Sequence, residues 1–169
     1  MNEQLESKRW YAVFTKYKCE KYVRDQLKAK EIEVYVPLIK ETKRYKTKIR
    51  KVEKPLISSY VFVRIDRVNY VKVLEVQYVK GFLKIAKELI PIPEREIEIM
   101  KRVVGEKVSK VGKKGLSIGQ KVEILSGSMT GMKGLVVEVK GKKNFVVSLE
   151  TIGFEINLEV DPKLLHIVD

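Results

Sequence analysis

The residues best able to do chemistry in this chain are cations. Between Leu38 and Lys54 the sequence sets Lys40, Lys43, Arg44, Lys46, Lys48, Arg50, Lys51 and Lys54 against only Glu41 and Glu53, a net charge of +6. Ammonium and guanidinium groups at that density bind phosphate oxygens, and an interleaved tyrosine offers a ring on which an unpaired base can stack. Lys43, Arg44, Lys46, Lys48, Arg50 and Lys51 are therefore the candidate nucleic-acid contacts, with Tyr45 as the stacking candidate. The plainer alternative is a solvated edge hairpin kept soluble by its lysines.

Other chemistry has little material. Cys19 is the single cysteine and His166 the single histidine, so neither an internal disulfide nor a cysteine-based zinc site can be assembled, and thiol–imidazole chemistry loses most of its raw material. Lys113-Lys114-Gly115 lacks the glycine spacing of a phosphate loop. The carboxylates are scattered through charged faces, where no pair is tuned to opposite protonation states. No catalytic residue, metal or cofactor is assigned, and an enzyme is not expected.

The whole chain shares the basic bias: 169 residues carry 35 Lys+Arg and 22 Asp+Glu, a formal charge of +13. This favours an acidic partner, nucleic acid before an anionic membrane surface or an acidic protein. With 44% hydrophobic residues the chain has material for folded cores. Its uncharged stretches fall far short of the roughly 20 residues that span a bilayer, and the start carries no secretory pattern, so a soluble cytoplasmic protein without membrane partners is expected.

The elements that must position the cations follow from periodicity. Arg9 to Thr15 alternates aromatic and β-branched residues and reads as a strand. Cys19 to Lys30 reads as an amphipathic helix with Cys19, Val23 and Leu27 on its buried stripe, Tyr22 beside them and Glu20 on the charged face. Strands are expected at Ile32 to Pro37 and, centrally, at Tyr60 to Ile65, then a helix over Val68 to Val79 and a strand over Gly81 to Ile85. Pro93 opens a third helix with Glu94 and Glu96 in its first turn and Ile97, Met100 and Val104 buried. The cationic run, alternating with Thr, Tyr, Ile and Val, fits a protruding two-stranded hairpin. Together these predict an α/β sandwich over residues 1–104 with a hairpin insert at 38–54.

Gly105 to Gly115 is small, basic and without apolar period, and residues 105–116 are expected to be a flexible linker. The remainder, 117–169, switches to five short apolar runs separated by Gly127, Gly131, Gly134, Gly141 and Gly153, expected turn positions of a small five-stranded barrel. The fold class is α+β.

Three segments in fixed order carry a family resemblance: Trp10-Tyr11 at the start, Ser59-Tyr60-Val61-Phe62-Val63 in the middle, and Val122 to Val136 with its Gly127, Gly131 and Gly134. The chain resembles the NusG family of transcription elongation factors, an N-terminal NGN domain joined by a linker to a C-terminal KOW barrel. Val34 to Leu38, the basic insert and Lys51 to Leu56 are similar to the specialised UpxY, LoaP and RfaH type rather than to a housekeeping NusG. There are departures. Ile57-Ser58-Ser59 stands where the family commonly has an aromatic residue, Pro and Gly or Asn, which softens that turn. Asn69-Tyr70-Val71-Lys72 stands where RfaH-like proteins carry a different polar motif for the polymerase gate loop.

The resemblance implies a factor that bridges the main cleft of RNA polymerase, reduces pausing and promotes antitermination, at particular operons. Phe14, Ile57, Tyr60 and Phe82 match the apolar hollow that receives the polymerase clamp helices, and Asn69, Tyr70 and Lys72 the second polymerase contact. The hairpin then lies beside upstream DNA or the displaced nontarget strand. Met129, Met132, Ile152 and Phe154 match the KOW docking face, expected as an exposed apolar patch for ribosomal protein S10, Rho or nascent RNA. For Phe14, Tyr60 and Phe82 of the hollow, as for the KOW four, ordinary core packing is the alternative. No conversion of the barrel to helix is expected, and a monomer suffices. Housekeeping NusG and an RNA- or ribosome-binding KOW protein are the rival readings.

Overall fold

In the computed structural model, which describes residues 7–115, 119–139 and 141–169, the run Arg9–Thr15 forms strand β1 at the middle of an antiparallel sheet. The chain continues through α1 (Glu20–Ala29), β2 (Glu33–Tyr35), β3 (Leu38–Arg44), β4 (Ile49–Pro55), β5 (Tyr60–Ile65), α2 (Tyr70–Leu74), β6 (Val79–Phe82), β7 (Lys84–Ile85), β8 (Glu88–Leu89) and β9 (Pro91–Ile92). Strands order β2-β5-β1-β6 with β9 also on β1, while β3 with β4 and β7 with β8 form separate hairpins. These elements make one compact unit, Met1–Glu94.

Alternation along β1 sets the two faces of this sheet. Val13 packs with Val61 and Val63 of β5, Val23 and Leu27 of α1, Val73 of α2 and Phe82 of β6 in one buried cluster, against which Tyr11 and Tyr70 lean. Each such side chain withdrawn from water contributes about 1.5–3 kcal/mol before entropy is counted. The other face carries Trp10, Ala12 and Phe14, paired in register with Arg64, Phe62 and Tyr60.

Two expected elements differ. The helix expected over 68–79 is a single 3-10 turn, Arg67–Asn69, followed by the five-residue α2. Asp66 caps that turn by accepting from the Asn69 N–H, and the β-branched Val68, Val71, Val73 and Val76 propagate a helix poorly. The strand expected over 81–85 is interrupted after Phe82, and its second part turns back as the β7–β8 hairpin.

The second unit, Arg95–Asp169, comprises nearly all of α3 (Glu94–Val103) with β10 (Val108–Lys113), β11 (Gln120–Ile124), β12 (Lys133–Val139), β13 (Lys142–Leu149), β14 (Phe154–Leu158) and β15 (Leu165–Ile167). Expected to complete the first domain, residues 1–104, α3 instead groups with this sheet: buried Glu96 accepts hydrogen bonds from Thr151, and Arg102 donates to the carbonyls of Ser128 and Thr130. Half of the expected linker is a strand, because Val108 to Lys113 pairs antiparallel with Phe154 to Leu158. Of the expected linker residues, Leu116 lies outside those described, as do Ser117 and Ile118 of the expected barrel.

Six strands, not five, thus run in the order β10-β14-β13-β12-β11-β15, and no ladder joins β10 to β15 among the described residues. Gly127, Gly131, Gly141 and Gly153 take positive φ, as turn glycines do. Gly134 does not: it lies within β12, where an added Cβ would stand 2.3 Å from the Val146 carbonyl oxygen and 2.7 Å from the Phe145 ring. Close strand packing, not a turn, demands that glycine.

Candidate nucleic-acid interface

Antiparallel pairing of β3 with β4 places Lys40 opposite Glu53, Glu41 opposite Val52, Thr42 opposite Lys51, Lys43 opposite Arg50 and Arg44 opposite Ile49. The Tyr45 N–H donates to the Lys48 carbonyl at 2.8 Å and closes the tip. This register divides the hairpin by charge. In the stem, the Lys54 ammonium pairs with Glu41 at 3.1 Å and Lys40 faces Glu53, so four charges cancel. The net +6 therefore belongs to the distal half, in Lys43, Arg44, Lys46, Lys48, Arg50 and Lys51, all exposed and none ion-paired with a carboxylate among the described residues.

Within that distal half Lys43, Tyr45, Lys48 and Arg50 share one face of the ribbon by alternation. Lys43 directly opposite Arg50 is a like-charge cross-strand pair, which destabilises a free hairpin and is relieved by an anion between the two heads. Tyr45 is 53% exposed beside them, its ring free to receive a base. The stem is anchored, since the Lys21 ammonium donates to the Glu53 carbonyl at 2.9 Å and the Leu56 N–H to the Pro37 carbonyl at 2.7 Å.

A second basic and aromatic surface escaped the sequence reading. Lys16 N–H donates to the Tyr78 carbonyl at 2.9 Å, drawing the loop after β1 to the loop before β6. Tyr17, Tyr22 and Tyr78 are exposed there; the Tyr22 and Tyr78 rings meet edge-on at 5.3 Å, with Lys16 Nζ 5.5 Å from the Tyr78 ring centroid and Lys18 Nζ 5.4 Å from that of Tyr17. Lys18 and Tyr78 adopt left-handed φ of 62° and 71°, a cost of order 1 kcal/mol each. Lys16-Tyr17-Lys18 is the local signal, but its partner Tyr78 is distant in sequence.

The residues expected to form one polymerase-binding hollow do not converge. Phe14 and Tyr60 touch, ring centroids 4.7 Å apart, on the Trp10 face of the sheet, and both are half-buried. Phe82 pairs with Val13 on the opposite face, buried and stacked on Tyr70 at 4.6 Å. Ile57 is buried at 2% exposure. Asn69 is held by Asp66, which accepts from both its main-chain N–H and its side-chain amide, while Lys72 is exposed. Burial pushes the Tyr60 phenol above its ordinary value.

In the second unit Met129, Met132 and Ile152 are buried, and only Phe154 is half-exposed. The reason is the turn's hydrogen bonding: Gly131 N–H donates to the Ile124 carbonyl at 2.7 Å and Ile124 N–H to the Met132 carbonyl at 3.0 Å, folding the loop back on β11. The expected exposed apolar patch is replaced by core packing. Among the described residues, no three His, Cys, Asp or Glu are placed to hold a metal, and no helix is long and apolar enough to cross a membrane.

Comparison with known proteins places this arrangement. The chain aligns with a Thermotoga maritima NusG structure, described for its domain interaction, over 96% of this chain and 98% of that one, at 24% identity and a TM-score of 0.58, a likeness of fold. Two conformations of an MjSpt4:Spt5 complex align over 95% of this chain and 98% and 97% of theirs, at 18% and 20% identity, each with a TM-score of 0.34. The family model described as transcription termination factor NusG matches residues 8–101, more than half of the chain, and the chain belongs to the NusG family.

Proposed function

We propose that this NusG-family chain acts in transcription elongation by binding RNA polymerase through its first unit while the distal hairpin grips upstream DNA or the displaced nontarget strand. The observation that carries the reading is the division of the hairpin: a stem whose charges cancel leads to a distal half with six exposed cations and Tyr45. Polymerase supplies the placement and the cations supply affinity for phosphate, so no bond is made or broken by the factor. On the sheet, the half-buried Phe14–Tyr60 pair is the polymerase anchor, since a few aromatic side chains carry most of an interface's binding energy. Ile57 and Phe82 are buried, and Phe82 lies on the sheet's opposite face, so neither is offered as a contact. The Tyr17, Tyr22 and Tyr78 surface extends the track available to unpaired bases. Reduced pausing and antitermination at particular operons follow from a factor that holds polymerase and bubble together.

The test is co-purification of the full chain with core RNA polymerase, then the same with Phe14→Ala/Tyr60→Ala. Retention that the double variant abolishes supports the reading. Retention indifferent to that pair, or binding of structured RNA without polymerase, favours the RNA- or ribosome-binding alternative.

A further inference from the structure

A cleft of ≈ 300 Å³ opens in the first unit at the end of β5, away from the hairpin ribbon. Its floor is aromatic and aliphatic, formed by Tyr11, Tyr70, Ile65 and Leu89. Tyr70 is braced from behind by the Phe82 ring at 4.6 Å and 19°, and Tyr11 meets the edge of the same ring at 6.2 Å. Its rim is cationic: Arg67, Lys84 and Lys87. The one carboxylate there, Asp66, spends Oδ1 on the Asn69 main-chain N–H and side-chain amide, at 3.0 and 2.7 Å. None of the three cations is within ion-pair distance of a carboxylate among the described residues. Lys84 Nζ instead stands 5.7 Å from the Tyr70 ring centroid.

The hairpin that delivers two of these cations is itself strained. Ala86 and Lys87, its two turn residues, hold φ of 50° and 68°, the left-handed pair that a two-residue hairpin turn normally reserves for Asn and Gly. Holding a lysine there keeps a third cation at the rim, where like charges repel until an anion arrives. An aromatic corner, the Tyr70 ring nearly parallel to Phe82 and the Tyr11 ring steeply inclined to both, beside cations that have no carboxylate partner among the described residues, matches one chemical class: a planar heteroaromatic ring bearing phosphate.

We propose that this cleft binds a nucleotide unit, its base stacked on the Tyr70 ring with Tyr11 against the base's edge, and its phosphate on Lys84, Lys87 and Arg67. The unit arrives either as a free nucleotide or as one residue of a nucleic-acid strand; the chemistry recognised is the same. This goes beyond the hairpin reading and stands without it.

The experiment is a titration of the full chain with AMP, followed by the amide resonances of Arg67, Tyr70, Lys84 and Lys87, beside titrations with adenosine and with inorganic phosphate. AMP is expected to move these resonances, with adenosine and phosphate each weaker by about tenfold or more, because each retains only half of the recognised features. Lys84→Glu/Lys87→Glu, both exposed and without a carboxylate partner among the described residues, should weaken AMP by about tenfold or more, whereas Lys43→Ala/Lys48→Ala/Arg50→Ala in the hairpin should leave AMP within about twofold. In that hairpin variant, displacement of AMP by an oligo-deoxyadenosine identifies a strand as the source, and no displacement identifies the free nucleotide. No movement at millimolar AMP, phosphate binding as tightly as AMP, or indifference to Lys84→Glu/Lys87→Glu overturns the proposal. Loss of DNA binding by the hairpin variant with AMP intact separates the two readings.

Discussion

Glu96 accepts two hydrogen bonds at one oxygen, from the Thr151 main-chain N–H and from its hydroxyl, each at 2.8 Å, while Oε2 is buried without a partner among the described residues. A buried carboxyl satisfied on one side only is an expensive way to dock a helix, since an unmet buried acceptor costs about 1–3 kcal/mol. Glu96→Gln keeps the acceptor for Thr151 and removes the charge, so its urea midpoint should equal or exceed that of the unaltered chain. Glu96→Ala and Thr151→Val should each lose about 1–3 kcal/mol when unfolding is followed at the Thr151 amide. An alanine variant as stable as the parent would mean that apolar packing alone holds α3.

Ser59 occupies the left-handed region at φ 64°, and its N–H donates to Glu20 Oε1 at 2.7 Å. Its carbonyl accepts from Thr15 N–H at 2.9 Å, so the turn entering β5 is fixed from two sides despite lacking proline. Ser59→Gly removes the side-chain penalty of that conformation and should stabilise the chain by up to about 1 kcal/mol. Glu20→Ala leaves the Ser59 N–H unmet and should cost about 1–3 kcal/mol. The pair of denaturation midpoints moving in opposite directions is the expected result; a Ser59→Gly variant less stable than the parent contradicts it.

Glu20 also marks where sequence reasoning stops. Periodicity put Val23 and Leu27 on the buried stripe, where they lie, yet it put Glu20 among the solvated charges, because a carboxylate's burial depends on a donor 39 residues away. The same holds for Gly105 to Gly115, whose composition reads as linker while β14 recruits Val108 to Lys113 into a ladder. Tertiary partners overrode local propensity at both places. The hairpin cations were legible because charge density is local; the split between neutral stem and cationic tip was not, because it depends on register. Phe14 and Phe82 both read as aromatic anchors, and only the sheet's two faces separate them.

If the distal cations contact phosphates, Lys43→Ala/Lys48→Ala/Arg50→Ala should flatten the dependence of DNA affinity on salt. Each lost contact lowers the log–log slope by about 0.7–0.9, the higher figure for duplex and the lower for single strands. The slope change per residue thus reports which form the tip grips. Exchanging the stem pair by Glu41→Gln/Lys54→Gln leaves net charge unaltered and should leave the slope unaltered, since those charges cancel across 3.1 Å. A slope unmoved by the tip variant removes the hairpin from the DNA interface.

Tyr60 links the sheet's aromatic pair to pH. Burial raises its phenol above the ordinary tyrosine value, because the packed site beside Phe14 disfavours phenolate. A folded-state value above the unfolded one contributes stability that is fully present below about pH 10 and is lost as pH rises through the folded value. Tyr60 should therefore ionise above the ordinary tyrosine value when its ring resonances are followed through an alkaline titration. Tyr60→Phe removes the titrating group and should make the alkaline loss of stability shallower, while keeping the ring that packs on Phe14. Polymerase seated on this pair takes the phenol further from water, so bound Tyr60 should ionise higher still, and Tyr60→Phe should retain polymerase where Tyr60→Ala loses it. A Tyr60 that ionises at the same pH in the complex as in the free chain would mean that polymerase docks elsewhere on the chain.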